Sequence, residues 1–385
     1  MTDVTTHAAA TSRPDSGPTG PGFDLGYGTN GFANHRLLDA LAVIADLGYT
    51  GVALTLDHAH LDPFAADLRD ETDRVATRLA ELGLRVVVET GARYLLDPTR
   101  KHHPTLVCDD QAPRIDFLTR ALRVAADLGA DCVSCWSGVD EDGSGAELTW
   151  RRLRQGLEPV LAEADRVGVP LGLEPEPGHV IERLDQALTL RADLGEPDSL
   201  RLTLDVGHCV AVEPVDAAEC IRLAGGLLVN VQLDDMMPGV HEHLEFGTGE
   251  LDLAATLAAL HEIDYRGLAA VELPRHSHAA PTVARRSLAA LRAALPAGRR
   301  GQATAETGAQ AASAAHDVPA ARSGTMTQAR AAGTTARTSA VVTAPAAPLS
   351  STGPSAIASA RSSITASADS TPQQTAHPRS SGGSR

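Results

Sequence analysis

The sequence predicts an α/β protein folded as one closed (β/α)8 (TIM) barrel, and three observations carry that prediction. A unit of short apolar run, polar turn and amphipathic stretch recurs eight times between Phe23 and Leu295. Several of the amphipathic stretches stop at a Gly just ahead of the next apolar run, where a left-handed C-cap turns the chain back toward a sheet. Eight such units over about 275 residues suit a closed barrel, which typically takes about 250. An open doubly wound sheet is the alternative, but no G-x-G-x-x-G follows the first apolar run, and "GYGTNG" is too weak a match for a dinucleotide site.

The expected strands, in order, are FDLGYG (23–28), GVALTL (51–56), LRVVVE (84–89), DCVSCW (131–136), PLGLE (170–174), SLRLTLD (199–205), LLVNVQL (227–233) and GLAAVEL (267–273). Each precedes a stretch of helical period, such as HRLLDALAVIADLG (35–48), IDFLTRALRVAADLG (115–129) or TLAALHEIDYRG (256–267). The barrel domain is assigned to 21–297. Residues 1–20 and the Ala-, Ser-, Thr- and Pro-rich stretch 298–385 are expected to be disordered tails, because they carry too little apolar surface to offset their ordering entropy. The first 20 residues lack the apolar centre of a signal peptide, and no apolar run reaches membrane-spanning length. The expectation is a soluble, cytoplasmic protein with no membrane partner.

The formal charge is −16, and residues 301–385 hold six Arg against three Asp or Glu, a balance of +3, which leaves −19 on residues 1–300. So acidic a folded part offers no footprint for a phosphate backbone, and nucleic-acid partners are not expected. Five cysteines, an odd number, do not form a disulfide framework. The CVSC at 132–135 lies inside an apolar run rather than at a helix start, so these thiols are expected in the core.

Active sites of such barrels lie at the C-terminal strand ends. Here those ends carry Glu89 on the third strand, Glu174 with Glu176 on the fifth, Asp205 with His208 on the sixth, and Glu272 on the eighth. The seventh strand carries Gln232, followed by Asp234 and Asp235, and its loop holds His241 and His243. Carboxylates packed around one mouth repel one another unless a cation neutralises them. Oxygen-rich ligands favour Mn²⁺, Mg²⁺ or Co²⁺ over a structural zinc. Asp205 is thus read as a metal ligand, with His208 beside it.

Each residue also has a plainer reading. A single strand-end Glu commonly serves a helix N-terminus or an ion pair. His241 and His243 sit in a Gly-rich loop where a solvated imidazole is equally at home, and His102 and His103 are expected at the surface. Trp136 either floors a sugar pocket or fills the barrel top.

The segments LEPEPG, LTLDVGH, VQLDD…HEHLEFGTGELD and AAVELPRHSH, at the right strands and in the right order, resemble the sugar isomerase/epimerase branch of the xylose isomerase-like barrels over residues 24 to about 295. The resemblance implies one divalent ion held by Glu174, Asp205, Gln232 and Glu272, with Gln232 standing where relatives more often have His. It implies Glu174 and Glu272 as the proton-transferring pair acting on a sugar, ketose or cyclitol through a metal-stabilised enediolate. Glu176, His208 and His243 are implied as substrate contacts; Glu89 and Trp136 are candidates from their strand-end positions, and Arg93 and Arg275 from their loops alone. Mn²⁺ is the preferred ion, and a homodimer is an expectation from relatives. With no Gly-rich phosphate cradle and Lys101 the only lysine, a free sugar or cyclitol is expected rather than a sugar phosphate.

Three other readings compete. An inosose-type dehydratase begins with the same proton abstraction. An apurinic-site endonuclease-like metal hydrolase shares His58 or His60 after the second strand, then Glu174, Asp205, His208, His243 and Glu272, but it differs at His241, Gln232 and Glu89, and a −19 folded part repels DNA. A non-catalytic metabolite-binding barrel is the third, with Gln232 marking lost metal affinity.

Overall fold

The computed structural model describes residues 22–296. The expected tails, 1–20 and 298–385, lie outside the described residues. Eight parallel strands close into a barrel: β1 (Asp24–Gly28), β2 (Gly51–Thr55), β3 (Arg85–Glu89), β4 (Val133–Trp136), β5 (Leu171–Glu174), β6 (Leu200–Asp205), β7 (Leu228–Leu233) and β10 (Leu268–Val271). Between them run α1 (Leu37–Leu47), α2 (Leu68–Leu82), α3 (Ala112–Leu128), α4 (Ala146–Val167), α5 (Leu184–Asp193), α6 (Val206–Val212), α7 (Ala217–Ala224) and α8 (Leu253–Glu262). A last helix, α9 (Ala280–Ala294), follows the final strand.

Pairing runs in sequence order around the ring and closes where Asp24 to Tyr27 of β1 stand opposite Leu268 to Val271 of β10. The strands are short because each needs only to cross the barrel wall. The helices bury an apolar stripe against it, as with Phe117, Leu118, Ala121, Leu122 and Ala125 of α3. α1, α2, α3 and α4 all end on a glycine with positive φ: Gly48, Gly83, Gly129 and Gly168. This is the left-handed stop that the repeated Gly predicts.

The barrel interior has two levels. Ala53, Val87, Cys132, Leu268 and Ala270 form a small apolar plug. Leu268 fills the space that β1 and β2 leave open, since a Cβ on Gly51 would sit 2.2 Å from its Cδ1. Further along the strands the interior becomes polar, with Glu89, Ser134, Asn230 and Gln232 all buried. The five cysteines are buried and free, and burial raises the thiol pKa values of Cys132 and Cys135, the latter to about 12. They are core thiols, as the sequence suggests. No helix among the described residues is long and apolar enough to cross a membrane.

One element is absent from the sequence reading. The segment after β7, read as a Gly-rich loop, forms an antiparallel hairpin of β8 (Asp235–Met237) and β9 (Val240–Leu244). Met237 pairs with Val240 across Pro238–Gly239, and Gly239 takes φ +73°. A Pro-Gly turn closes a two-residue connection of this kind, but strands of three and five residues are too short to show a period.

Candidate active site

The C-terminal strand ends surround a cavity of about 510 Å³. Glu89, Trp136, Glu174, Glu176, His208, Gln232, His243 and Glu272 all line it, with Arg93 and Arg275 among the loop residues of its wall. Asp205 lies just beneath that wall, 1% exposed. Its Oδ2 is 3.7 Å from His208 Nε2 and 3.8 Å from His243 Nδ1. The structure therefore brings together, at one cavity, the residues expected to hold the ion, transfer the proton or contact the substrate.

Asp205 serves in two ways at once. Its Oδ1 accepts hydrogen bonds from the backbone N–H groups of Gly207 (2.7 Å) and His208 (3.1 Å), capping α6 as a strand-end carboxylate commonly does. Its Oδ2 is buried and has no hydrogen-bond partner. The first turn of α6 carries His208 back over the site, where Nδ1 lies 3.2 Å from Pro175 O and 3.4 Å from Glu174 Oε1.

Strands β3 and β7 are diametrically opposed in the ring. Their side chains meet across the axis. Asn230 Nδ2 donates to Glu89 Oε1 at 2.9 Å, and Gln232 Nε2 points at Glu89 Oε2 at 3.5 Å. Glu89 Oε2 acts as the acceptor here, so the NH2 end of the Gln232 amide is turned toward it. Gln232 Oε1 is left buried and unpartnered. On the far side, Asn30, in the 3-10 turn after β1, donates to Glu272 Oε1 at 3.0 Å.

The β8–β9 hairpin supplies two imidazoles. His243 Nδ1 contacts Asp234 Oδ2 at 2.5 Å, and His241 Nε2 lies 3.1 Å from His208 Nε2. Asp235 works structurally, accepting from the backbone N–H groups of Gly247, Gly249 and Leu251 and so tying the following loop to the hairpin.

Burial dominates the acid–base character of this cluster. It pushes Glu89 up to about 7 and Glu272 to about 8. Glu174 and Asp234 are held well above the usual carboxylate range, by burial first and neighbouring carboxylates second. At Asp205 burial acts upward too, but His208 and His243 outweigh it and hold the carboxyl low. His241 falls to about 4, by burial and then by His208 and His243.

Ligand atoms of Glu174, Asp205 and His208 lie within 4.8 Å of one another, as do those of Asp205, Asp234 and His243, and those of His208, His241 and His243. Together with the unpartnered oxygens Asp205 Oδ2 and Gln232 Oε1, these carboxylates and imidazoles form a mixed oxygen and nitrogen donor set able to hold a divalent cation.

Several site residues escape the sequence reading. Asn230 shares a face with Gln232 by the two-residue period of a strand, a signal open to detection. Asp234, noted in the sequence without a role, is the partner of His243. His102, expected at the surface, instead lines the cavity half-buried and packs on Trp136 with ring centroids 5.1 Å apart. Trp136 is 6% exposed, and a buried guanidinium, that of Arg114, lies 4.6 Å from its ring centroid. Asn30 and His102 come from segments without any periodic pattern.

A closed parallel barrel whose C-terminal mouth gathers carboxylates, imidazoles and an amide around one cavity is an enzyme barrel with a polar, cation-ready site. Residues 41–294 match the family model of the xylose isomerase-like TIM barrel, and the chain belongs to that family. It is 26% identical over 243 residues to the L-ribulose-5-phosphate 3-epimerase UlaE of Shigella flexneri serotype 5b, covering 61% of this chain and 81% of that one. It is 27% identical over 215 residues to UlaE of Escherichia coli O139:H28, covering 53% and 75%. Among solved structures, an L-ribulose 3-epimerase superposes with TM-score 0.57 at 22% identity, over 77% of this chain and 100% of that one. The E. coli 3-keto-D-glucoside 4-epimerase YcjR gives 0.57 at 18%, over 70% and 99%. These two structural likenesses concern the fold.

Proposed function

We propose that this enzyme is a divalent-metal-dependent epimerase or isomerase of a ketose or related polyol, with Glu174 and Glu272 as the proton-transferring pair. The observation that carries the reading is the pairing of buried Glu174 with half-buried Glu272, three strands apart around one cavity, with the unpartnered oxygens Asp205 Oδ2 and Gln232 Oε1 in the same cluster. The sugar epimerases among its relatives support it.

Glu174, Asp205, Gln232 and Glu272 would hold the ion, with Mn²⁺ preferred for its tolerance of an amide oxygen among carboxylates. A divalent ion there supplies Lewis-acid polarisation of carbonyl and hydroxyl oxygens. Glu272, its Oε1 fixed by the Asn30 amide, is positioned at the cavity wall to exchange a proton with a bound substrate. One glutamate removes the proton next to the carbonyl, and the other returns it on the opposite face. Return to the same carbon inverts it, and return to the neighbouring carbon isomerises the sugar. His208 and His243 orient substrate hydroxyls, and Glu176 and Trp136 complete the wall.

The test is solvent deuterium exchange into ketoses by the metal-loaded protein, beside elemental analysis of the wild type and the Glu174→Gln and Asp205→Asn variants. About one Mn, Co or Mg per chain, lost in the variants, with deuterium at one carbon, is the expected result. A protein that binds no added Mn²⁺ and exchanges no proton is a binder, and the reading fails.

A further inference from the structure

Three neighbouring strands end in a row of polar side chains that proton transfer leaves unused. Thr55 on β2 stands in register with Glu89 on β3, and Glu89 in register with Ser134 on β4. All three line the cavity, and all are buried, at 5%, 7% and 1% exposure. The proposed ion ligands Glu174, Asp205 and Gln232 end β5, β6 and β7, and Glu272 follows β10. The row therefore closes the other arc of the ring, facing the ion.

The Oγ atoms of Thr55 and Ser134 have no hydrogen-bond partner. Their backbones are nonetheless pinned. Thr55 N–H donates to Thr29 Oγ1 at 3.0 Å, and Thr90 Oγ1 donates to Ser134 O at 2.7 Å. Thr29 and Thr90, outside the lining, thus engage their hydroxyls with the backbone, while the two hydroxyls in the lining stay free. Between them Glu89 is tied across the barrel to Asn230 and Gln232. Burial raises the Glu89 carboxyl, and Asn230 and then Ser134 pull it back, but no hydrogen bond of normal geometry reaches Ser134 Oγ.

A buried hydroxyl without a partner is destabilising, because it has given up water and gained nothing. The group that relieves it is defined by chemistry. An apolar group would leave both hydroxyls unpaired, and an anion would lie against Glu89 with no cation in the row to offset it. A hydroxyl both donates and accepts, which matches two hydroxyls flanking a carboxyl. We propose that Thr55 and Ser134, on either side of Glu89, form a hydroxyl-reading subsite that selects substrates whose inward end is an unsubstituted, hydroxyl-bearing carbon. This rests on the epimerase/isomerase reading for the ion-bound part of the substrate. Thr55 and Ser134 set specificity and move no proton.

The test compares L-ribulose with 1-deoxy-L-ribulose and 5-deoxy-L-ribulose on the metal-loaded full chain, with calorimetric binding of all three in parallel. A site built around a substrate hydroxyl rejects the analogue that lacks it, so one deoxy sugar should lose about 10²-fold or more in kcat/KM. Thr55→Val and Ser134→Ala should each lower kcat/KM for L-ribulose by about tenfold and leave the rejected analogue nearly unchanged. That shrinking discrimination couples the two hydroxyls, one on the sugar and one on the protein. Thr55→Ser, which keeps the hydroxyl, should keep the discrimination. Each apolar variant removes an unpaired buried group, so the thermal midpoint of the ligand-free protein should hold or rise. Equal losses on all three sugars, with a lower midpoint, would mark the hydroxyls as structural and overturn the subsite while leaving the epimerase reading intact. Equal use of all three sugars by the wild type overturns it as well. If no ketose exchanges deuterium, the epimerase reading fails, and calorimetry still decides the subsite. Tighter binding of L-ribulose than of one deoxy analogue, lost in Thr55→Val and Ser134→Ala, upholds it, and equal or absent binding overturns it.

Discussion

Glu89 illustrates how one carboxylate can govern a site from across the barrel. It accepts from Asn230 and faces the Gln232 amide nitrogen, which leaves the amide oxygen free to act as a donor atom. A Glu89→Gln variant offers both an acceptor and a donor, so the Gln232 amide loses its fixed sense. Second-layer changes of this kind typically cost about 10- to 100-fold in metal affinity. Calorimetric titration with Mn²⁺ should show that loss in Glu89→Gln, and an unchanged Kd would remove Glu89 from this role. Glu174→Gln makes the contrasting case. Burial and neighbouring carboxylates disfavour the charge on Glu174, so a neutral isostere should raise the thermal midpoint of the metal-free protein. It should also lower turnover by about 10²- to 10⁴-fold. A variant both less stable and active would contradict the assignment. The strand-end residues were legible because several strands finish their apolar runs on Glu, Asp or an amide at the same mouth, which helix capping at each one separately does not explain. Asn30 and His102 were not, because nothing local distinguishes a site residue from a solvated one in an irregular loop.

Secondary elements were legible where a period existed. All eight barrel strands fall within the expected runs, and α1 and α3 end at the Gly that ends their apolar pattern. The β8–β9 hairpin was not legible, since its pairing depends on partners that only the barrel brings together. Its seating depends on Gly207 in the first turn of α6. A Cβ there would lie 2.1 Å from Asp234 Oδ1 and 2.8 Å from Met236 Cγ. Gly207→Ala should therefore push the hairpin off α6, at about 1–3 kcal/mol of stability. Because Asp234 orients His243, kcat/KM should fall together with stability. Chemical denaturation and kinetics on the same variant check both, and a variant with wild-type values would mean the hairpin shifts without consequence.

At the scale of the whole molecule, the mouth sets how stability depends on pH. The metal-free fold raises Glu89 to about 7 and Glu272 to about 8, from values near 4.5 in the unfolded chain. Such groups stabilise the fold fully below about pH 4.5, and the contribution is lost as pH rises through 7 and then 8. His102 and His179, both lowered to about 3, act in the opposite sense. Their contribution is present above about pH 6.5 and lost as pH falls toward 3. Gly138 N–H donates to His179 Nδ1 at 3.2 Å, a bond that a proton on that nitrogen would remove. Between pH 6.5 and 8 the unfolded imidazoles lose only the last half of their protons, while Glu89 and Glu272 titrate in the fold and dominate the change. In EDTA, the thermal midpoint should fall across that window, and Glu272→Gln should flatten the fall. A divalent ion binds the deprotonated cluster and competes with its protons, so the midpoint shift on adding Mn²⁺ should be larger at pH 8 than at pH 6. A metal-free midpoint that stays level or climbs from pH 6.5 to 8 would show that the carboxylates are not held in the protonated state by burial. A Mn²⁺ shift of equal size at both pH values would place the ion away from them.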